Sequence, residues 1–478
     1  MISWNRRPWC ASMALVIGLP LGWTSTTLAS EPWAERTSAL GAVSEMPAGV
    51  LSKPSLERLM AIGEDLFAAH FTTEDGVGRP LATHAIDPTL RKHSREQMFL
   101  RTAGPDAGSC ASCHNQPAIG GAGDFVTNVF ASEGFESADF DSLDPQFSSE
   151  RGTNHLFGAG LVELLAREMS SDLQSIRDKA LSEARAKGED VRLKLETKGV
   201  EFGFIAAEPD GSVNLDELDG VDTDLVIRPF SQKGVMTSLR QFTINAMNQH
   251  HGLQPDERFG ARWTGSADFD GDGKSSEMSS GDVSALVAWQ ATLHVPVRVV
   301  PQIEGWAEAD ERGEKAFGAM GCTTCHRPAL PLDTLSFSDP GPFDQAGTLN
   351  DRQVAETAIY DIGLLDWSAK LPRDDKGRVM VPLFGDLKRH VMTDNQIDAL
   401  GNELLSQRFV ERNIFQTAEL WGVGSTKPYG HRNDFTSLND IILAHGGNGR
   451  EARDAYEDAS AEDKSALIAF LKTLVIVP

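Results

Sequence analysis

The sequence has few cysteines, few basic residues for its length and no long apolar run beyond its first residues. Five cysteines in 478 residues are too few for a disulfide-stabilised scaffold. The chain carries 44 Lys and Arg against 69 Asp and Glu, a formal charge of −25. Such a surface repels phosphate backbones, which argues against nucleic acid as a partner. A hydrophobic share of 40% is that of an ordinary globular protein and excludes a mostly disordered chain.

The N-terminal segment predicts secretion. Arg6 and Arg7 precede a short apolar stretch at 11–21, and small residues at 27–29 offer a cleavage site. This order is typical of a cleaved signal peptide, with an uncleaved anchor as the alternative. We therefore expect residues 1–29 to be a signal peptide and the mature protein to be periplasmic, with no membrane anchor.

The four remaining cysteines lie in two copies of one motif, C-x-x-C-H. The copies are Cys110, Cys113 and His114, then Cys322, Cys325 and His326. This motif attaches c-type haem: two thiols about one helical turn apart form thioethers with the vinyl groups, and the adjacent imidazole binds the iron. A thioredoxin-like site would need a βαβ context, and a zinc site would have to join two distant segments. The sequence thus predicts two covalently attached haems c.

The flanks of the motifs indicate a duplicated unit. Gly63-Glu64 and Gly313-Glu314 each precede an apolar residue followed by Phe, in the manner of a first cytochrome c helix. The first unit is longer by an insert, roughly residues 71–109. This insert either covers a haem face or forms a surface loop.

Apolar spacing predicts two further helices. One covers residues 160–177, and the other is the last helix of the chain, with an apolar stripe from Leu467 to Val475. Strand signals are weak, while Pro- and Gly-rich stretches at 336–347 and 370–385 predict loops. We therefore predict a mainly α fold of two cytochrome c-like helical domains with long loops and insertions. The predicted domains are residues 30–295 and 303–478, joined by a linker at 295–302.

Further segments that begin at Arg151, Ile227, Phe269 and Leu420 lie in order around the motifs. Together they resemble the bacterial di-haem cytochrome c peroxidase superfamily, and most closely its branch of di-haem or thiol oxidoreductases. The resemblance implies an enzyme that reduces hydrogen peroxide with electrons from a small cytochrome or cupredoxin. A pure electron-transfer cytochrome and an enzyme that oxidatively matures a partner protein are the alternatives.

The resemblance also implies axial ligands. Where the family has a methionine as second ligand of the C-terminal haem, this chain has His445, so we expect His326 and His445 to bind that iron. A surface histidine is the alternative at this position. Where the family has the distal histidine of the N-terminal haem, the chain has Phe130. The candidates there are His155, Met169, Met247 and the pair His250-His251, and an open iron position is the other option.

Two residues of the resembling segments are candidates for peroxide chemistry. Cleavage of the peroxide bond needs a distal acid–base group and a stabilising donor. Glu163 and Arg228 are the candidates, although the sequence does not place either of them beside a haem.

An acidic segment predicts an ion site. Asp268, Asp270 and Asp272 match the first half of a calcium loop. The position that an EF-hand fills with Glu is Ser279, so this is not an EF-hand. A shorter loop with Glu277 as a ligand could bind calcium, in line with the calcium held by related peroxidases, and a solvated acidic turn is the alternative.

Overall fold

A computed structural model describes residues 38–83, 87–90, 108–131, 148–345, 347–402 and 410–478. The predicted signal peptide and part of the insert lie outside these residues. Helices make up 37% and strands 16% of the protein, so the prediction of a mainly α fold is wrong and the protein is a mixed fold of helices and several small sheets. In the described part of the chain, no helix is both long and apolar enough to cross a membrane.

The helices confirm both sequence predictions of helix position. In chain order they are α1 (Lys53–Ala68), α2 (Cys110–Cys113), α3 (Ala159–Lys187), α4 (Leu239–Ala246), α5 (Asp256–Phe259), α6 (Ala261–Thr264), α7 (Ser280–Thr292), α8 (Trp306–Ala319), α9 (Leu438–Leu443), α10 (Arg450–Asp458) and α11 (Ala461–Thr473). The helix predicted at 160–177 is α3, which continues to Lys187. The C-terminal helix is α11, but Leu474 and Val475 form a strand instead of extending it. A π-helix, Met247–His251, follows α4 directly.

Short strands connect these helices. They are β1 (Gly49–Val50), β2 (Gly123–Ala131), β3 (Ser148–Thr153), β4 (Val191–Thr197), β5 (Val200–Ala207), β6 (Val213–Asn214), β7 (Val297–Arg298), β8 (Leu330–Leu332), β9 (Ser336–Asp339), β10 (Ala358–Asp361), β11 (Val379–Val381), β12 (Arg389–Val391), β13 (Ile414–Gln416) and β14 (Leu474–Val475). They form two three-stranded sheets, β1-β10-β9 and β4-β5-β6, and four strand pairs, β2-β3, β7-β14, β8-β11 and β12-β13. The β1–β10 pair is parallel, with Gly49 opposite Ala358, and the other pairs are antiparallel.

The β4–β5 hairpin shows what the helical interpretation missed. Val191, Leu193 and Leu195 alternate with charged residues, which is a strand pattern. Lys198 and Gly199 both have positive φ values and make the tight turn between the strands. Most of the other strands have only two to four residues and carry too little periodicity to be recognised. Strands β9 and β11 lie in the segments predicted as loops, so those predictions are wrong in part. Strand β7 lies in the predicted linker.

Two pairs of crossing helices repeat one contact. Helix α1 crosses α7 where a β-carbon on Gly63 would lie 2.0 Å from the carbonyl oxygen of Ala285. Helix α8 crosses α11 where a β-carbon on Gly313 would lie 2.0 Å from the carbonyl oxygen of Ala466. Glycine permits this close approach of two backbones. The two glycines singled out in the sequence therefore lie at equivalent crossings, one before each C-x-x-C-H motif.

The two helix pairs belong to cores of different size. The larger core contains α1, α3 and α7 together with residues of β8–β11, such as Leu330 and Val381. The smaller core packs Phe317 of α8 against Leu467 and Phe470 of α11. Residues Ser38–Pro478 group into one compact unit. The domain boundary at residues 295–303 stays a prediction.

Candidate functional site

The first motif forms a single helical turn that aims its histidine. Helix α2 contains both thiols, and the backbone N–H of His114 donates to the carbonyl of Cys110 at 3.0 Å. The imidazole Nδ1 of His114 lies 3.2 Å from the carbonyl oxygen of Gly121, so Nδ1 carries the proton, because a carbonyl only accepts. Removal from water lowers the pKa of His114, which keeps the ring neutral. Its Nε2 therefore carries the lone pair that a metal ligand needs.

The second motif repeats this arrangement with a different partner. Cys322–Thr324 form a short 3₁₀ turn, and the N–H of His326 donates to the carbonyl of Cys322 at 3.0 Å. The Nδ1 of His326 donates to the carbonyl oxygen of Phe384 at 3.2 Å. Removal from water, with the nearby His445 as a lesser cause, lowers the pKa of His326 to about 4. In both motifs a neutral imidazole thus donates through Nδ1. At the first motif the backbone of Asn154 also lies close to the His114 ring.

The thiols fit haem attachment better than thiolate chemistry. The two cysteines of each motif are not joined in a disulfide. Burial raises the pKa of Cys110 to about 12 and that of Cys322 to about 11. Thiols with such values are protonated at neutral pH, whereas redox-active C-x-x-C pairs have lowered thiol pKa values. A neutral thiol beside an oriented imidazole is the donor set that C-x-x-C-H supplies to haem c.

The π-helix lies beside the first motif. Nε2 of His251 is 3.7 Å from Sγ of Cys110, and the His251 ring packs against Phe71 with a centroid distance of 5.2 Å. The Nδ1 atom of His250 is buried and makes no hydrogen bond to any described residue. Removal from water, followed by the nearby His114, lowers the pKa of His250 to about 4. Single-turn π-helices often occur at functional sites, so the His250-His251 pair is well placed to face a group held by the first motif.

The other candidates for the first site have different surroundings. His155 also lies near His114, but its Nε2 bonds to the carbonyl oxygen of Trp421 at 3.0 Å. Met169 and Met247 are fully buried in the large core, which is the setting of packing residues. Phe130, which replaces the family's distal histidine, lies in β2.

At the second motif, the structure brings His445 close to His326. His445 is near enough that a positive charge on it would lower the pKa of His326. Nδ1 of His445 donates to the carbonyl oxygen of Ile441 at 2.8 Å. Both rings therefore use Nδ1 for a backbone bond and keep Nε2 for another partner. That these two imidazoles bind one iron stays a prediction.

Sequence reasoning missed a second histidine at this motif. His390 Nδ1 lies 3.9 Å from Sγ of Cys325, and His390 Nε2 lies 2.9 Å from the carboxylate of Asp386. Burial opposes the charged form of His390, but the hydrogen bond that it donates to Asp386, with a weaker contribution from Cys325, raises its pKa to about 9. Cys325, Asp386 and His390 together could also hold a metal ion. A thioether at Cys325 would remove the thiolate from that donor set. No sequence motif marks Asp386 and His390, because an Asp and a His four positions apart are common by chance.

Glu163 and Arg228 both take part in ion pairs with neighbouring residues. Glu163 is fully buried, pairs with Arg167 and accepts the N–H of Leu239 at 2.7 Å, where α4 begins. Arg228 is buried and pairs with the carboxylates of Asp222 and Asp224. Among the described residues, neither side chain has a hydrogen bond to a motif residue. A catalytic role for either residue therefore stays a prediction.

The acidic segment does form a cluster. Carboxylate oxygens of Asp268, Asp270 and Asp272 lie within 4.8 Å of one another. Burial, followed by the charge of Asp270, raises the pKa of Glu277 to about 10, so Glu277 faces the same three residues. Burial and Asp272 likewise raise the pKa of Asp270 to about 8. The four predicted ion ligands are thus close together.

Hydrogen bonds join the segment at Leu420 and Trp421 to residues beside both motifs. The carbonyl of Phe384, which accepts from His326, also accepts the N–H of Leu420 at 3.4 Å. The next residue, Trp421, accepts from His155 through its carbonyl oxygen, and His155 is a neighbour of His114. The Trp421 side chain is buried. The segment at Leu420 that resembles the peroxidase superfamily therefore lies between the two motifs.

Comparison with known proteins gives distant structural neighbours. No protein-family profile and no curated protein sequence matches the chain. Among solved structures, it is similar to hydrazine synthase of Kuenenia stuttgartiensis, with 13% identity and a TM-score of 0.38 over 93% of this chain and 100% of the other. It is also similar to a MauG-like protein associated with microbial copper homeostasis, with 15% identity and a TM-score of 0.33 over 92% and 95% of the two chains. Both TM-scores are below 0.5, so neither likeness indicates a function for this chain.

Proposed function

We propose that the protein is a di-haem c-type oxidoreductase that reduces hydrogen peroxide. Cys110, Cys113 and His114 would hold one haem, and Cys322, Cys325 and His326 the other. One observation carries the proposal: in both C-x-x-C-H motifs the histidine donates Nδ1–H to a backbone carbonyl at 3.2 Å. This bond fixes the tautomer and leaves Nε2 for the iron, as in other metal-binding histidines.

The two sites suit different tasks. Peroxide reduction consumes two electrons and two protons and releases two molecules of water, while a small redox protein delivers one electron at a time. When bound, haem c supplies an iron that exchanges single electrons and can bind an oxidant. His445 beside His326 would close the second iron to substrates, which suits electron entry. His250 and His251 beside the first motif would orient peroxide, because a buried neutral imidazole can both donate and accept a hydrogen bond.

A periplasmic location and an acidic surface complete the proposal. The signal-like N-terminus would deliver the chain to the compartment where haem c is attached. The net charge of −25 would attract a small basic cytochrome or cupredoxin, and this attraction weakens with ionic strength. Turnover with such a donor should therefore slow as salt is added, and rates independent of salt would count against an electrostatically guided donor.

Haem content is the first test. Protein matured in the periplasm of a bacterium with a haem c assembly system should gain the mass of two haems. These haems should resist extraction by acidified organic solvent and give a haem c pyridine spectrum. Peroxide added to the half-reduced protein should then oxidise it, and a reduced donor should sustain turnover. A colourless protein, or one with extractable haem, would refute the proposal, whereas two haems indifferent to peroxide and cyanide would favour pure electron transfer.

The proposed ligand pair has its own test. Replacement His445→Ala should convert one of the two haems from low-spin to high-spin in absorption and paramagnetic resonance spectra, because its iron loses an imidazole. His431→Ala is the matched control, since His431 lies in the same C-terminal segment but bonds to Asn402 at 2.7 Å. An unchanged low-spin spectrum in His445→Ala would remove this assignment.

A further inference from the structure

The acidic cluster contains a buried carboxylate oxygen that lacks a partner. Asp270 is 0% exposed, and its Oδ2 atom is buried without a hydrogen bond from any described residue. The carboxylates of Asp268 and Asp272 lie within 4.8 Å of that of Asp270. Burying an ionised carboxylate among other carboxylates costs considerable free energy unless a cation compensates it. The unpartnered oxygen therefore indicates a cation.

Glu277 adds a fourth carboxylate from outside the aspartate turn. Its side chain lies against Gly76, where a β-carbon would be 2.5 Å from Glu277 Cγ. One of its oxygens, Oε2, accepts the N–H of Gln254 at 2.7 Å. Four carboxylates without a thiol or imidazole are a ligand set for a hard cation. Ca²⁺ takes six to eight oxygens in flexible geometry, whereas Mg²⁺ requires a near-ideal octahedron, so an irregular loop of this composition favours Ca²⁺.

The cluster is connected to the π-helix along two routes. The carbonyl of Asp270 accepts the N–H of Leu81 at 2.7 Å, and in the same segment Arg79 donates to the carbonyl of Asn248 in the π-helix at 2.5 Å. On the second route, Glu277 holds Gln254, which follows the π-helix by three residues. An ion at the cluster would therefore restrain the chain on both sides of the π-helix.

We propose that Asp268, Asp270, Asp272 and Glu277 bind one Ca²⁺ ion and that this ion holds residues 72–83 and the π-helix in place beside the first C-x-x-C-H motif. The ion site itself is independent of the haems. Only the role of His250 and His251 in the restrained segment rests on the proposed function.

Calcium binding is tested on the full-length protein after treatment with a chelator. Titration with Ca²⁺, followed by calorimetry and thermal unfolding, should show one site and raise the unfolding temperature, because a ligand of the folded state stabilises it. Mg²⁺ and Zn²⁺ at equal concentration should give smaller shifts. Asp270→Asn and Glu277→Gln should each weaken Ca²⁺ binding by at least about tenfold. Without calcium they should be no less stable than the parent, since each removes a repulsive charge.

The matched control is Asp216→Asn, which changes an exposed aspartate in another turn and should leave calcium binding unchanged. The absence of any effect of Ca²⁺ on the parent protein would overturn the site. The site would also be overturned if Ca²⁺ raised the unfolding temperature of Asp270→Asn or Glu277→Gln as much as that of the parent protein. A larger rise with Mg²⁺ or Zn²⁺ than with Ca²⁺ would overturn it as well. The comparison of calcium-loaded and chelated parent protein needs no variant, so the test does not depend on every variant folding.

Hydrogen exchange tests the connection to the π-helix. Ca²⁺ should slow amide exchange in residues 72–83 and 247–254 and leave residues 438–445, near the second motif, unchanged. Protection confined to residues 268–277 would overturn the restraint on the π-helix. This measurement does not require haem, so its failure is distinguishable from a failure of the proposed enzyme function.

Discussion

The two C-x-x-C-H sites share their internal geometry and differ in what surrounds them. In each, a histidine donates Nδ1–H to a carbonyl at 3.2 Å. In each, the helix before the motif crosses a later helix at a glycine, with the same 2.0 Å spacing from a potential β-carbon to the facing carbonyl. The local sequence repeats, and so does the local structure.

The surroundings differ because a second histidine approaches each motif from an unrelated segment. At the first motif it is His251 of the π-helix, 3.7 Å from Cys110 and packed on Phe71. At the second it is His390, 3.9 Å from Cys325 and bonded to Asp386. A carboxylate bond favours the charged imidazole, whereas burial favours the neutral one. Two identical motifs can therefore acquire different chemistry from long-range contacts.

Replacing the two cysteines of one motif at a time should have the largest effect, on both haem content and the reaction with peroxide. Cys110→Ser with Cys113→Ser, and Cys322→Ser with Cys325→Ser, should each leave one covalently bound haem, because each motif holds its own. The protein that lacks the first haem should no longer react with peroxide, whereas the one that lacks the second should react but turn over poorly with a donor. Mass spectrometry and stopped-flow absorption measure these outcomes. Loss of both haems from either variant would show that the two sites are not independent.

Replacing glycine by alanine should destabilise the two helix crossings by different amounts. Gly63→Ala should lower the free energy of unfolding by about 3 kcal/mol and Gly313→Ala by about 1 kcal/mol, within the usual range of overpacked contacts. The difference is expected because α7 is buried along nearly its whole length, whereas α11 buries one face and can shift. Urea denaturation followed by circular dichroism measures both.

Gly318→Ala is the control for these substitutions, since it lies in α8 with no atom within 4 Å of its potential β-carbon. It should be neutral or slightly stabilising. Equal losses for Gly63 and Gly318 would contradict the role assigned to the close helix contact.

A smaller effect is expected at the second site, where His390 should make the free energy of unfolding depend on pH. The pKa of His390 is raised to about 9 from an ordinary 6.5, chiefly by its hydrogen bond to Asp386 against the opposing effect of burial. A raised pKa in the folded state means that the stabilisation is fully present below pH 6.5 and is lost as pH rises through 9. Asp386→Asn should remove this pH dependence, worth on the order of 2 kcal/mol.

Unfolding free energies of the parent and Asp386→Asn, measured from pH 6 to 10, provide the check on His390. Asp375→Asn, at an exposed position of the same region, should retain the parent's profile. A parent protein whose stability is flat across this range would argue against a charged His390.

Sequence reasoning identified the motifs, their preceding glycines, helices α3 and α11 and the four acidic residues, because each of these is a local pattern. It missed α7, an almost wholly buried helix without an amphipathic stripe. It also missed the short strands, since strands of two to four residues have no recognisable period. The catalytic roles of Glu163 and Arg228 stay predictions, because a charged residue in a resembling segment looks the same whether it caps a helix or faces a cofactor.

The sequence by itself determined the two C-x-x-C-H patterns: thiols and imidazoles at fixed spacing within five residues need no distant contact to be recognised. Only the tertiary structure decided which residues face them, because His251, His390 and His445 approach the motifs from distant segments of the chain. Spacing along the chain sets local geometry, whereas burial and long-range packing set the charge and hydrogen bonding of each histidine.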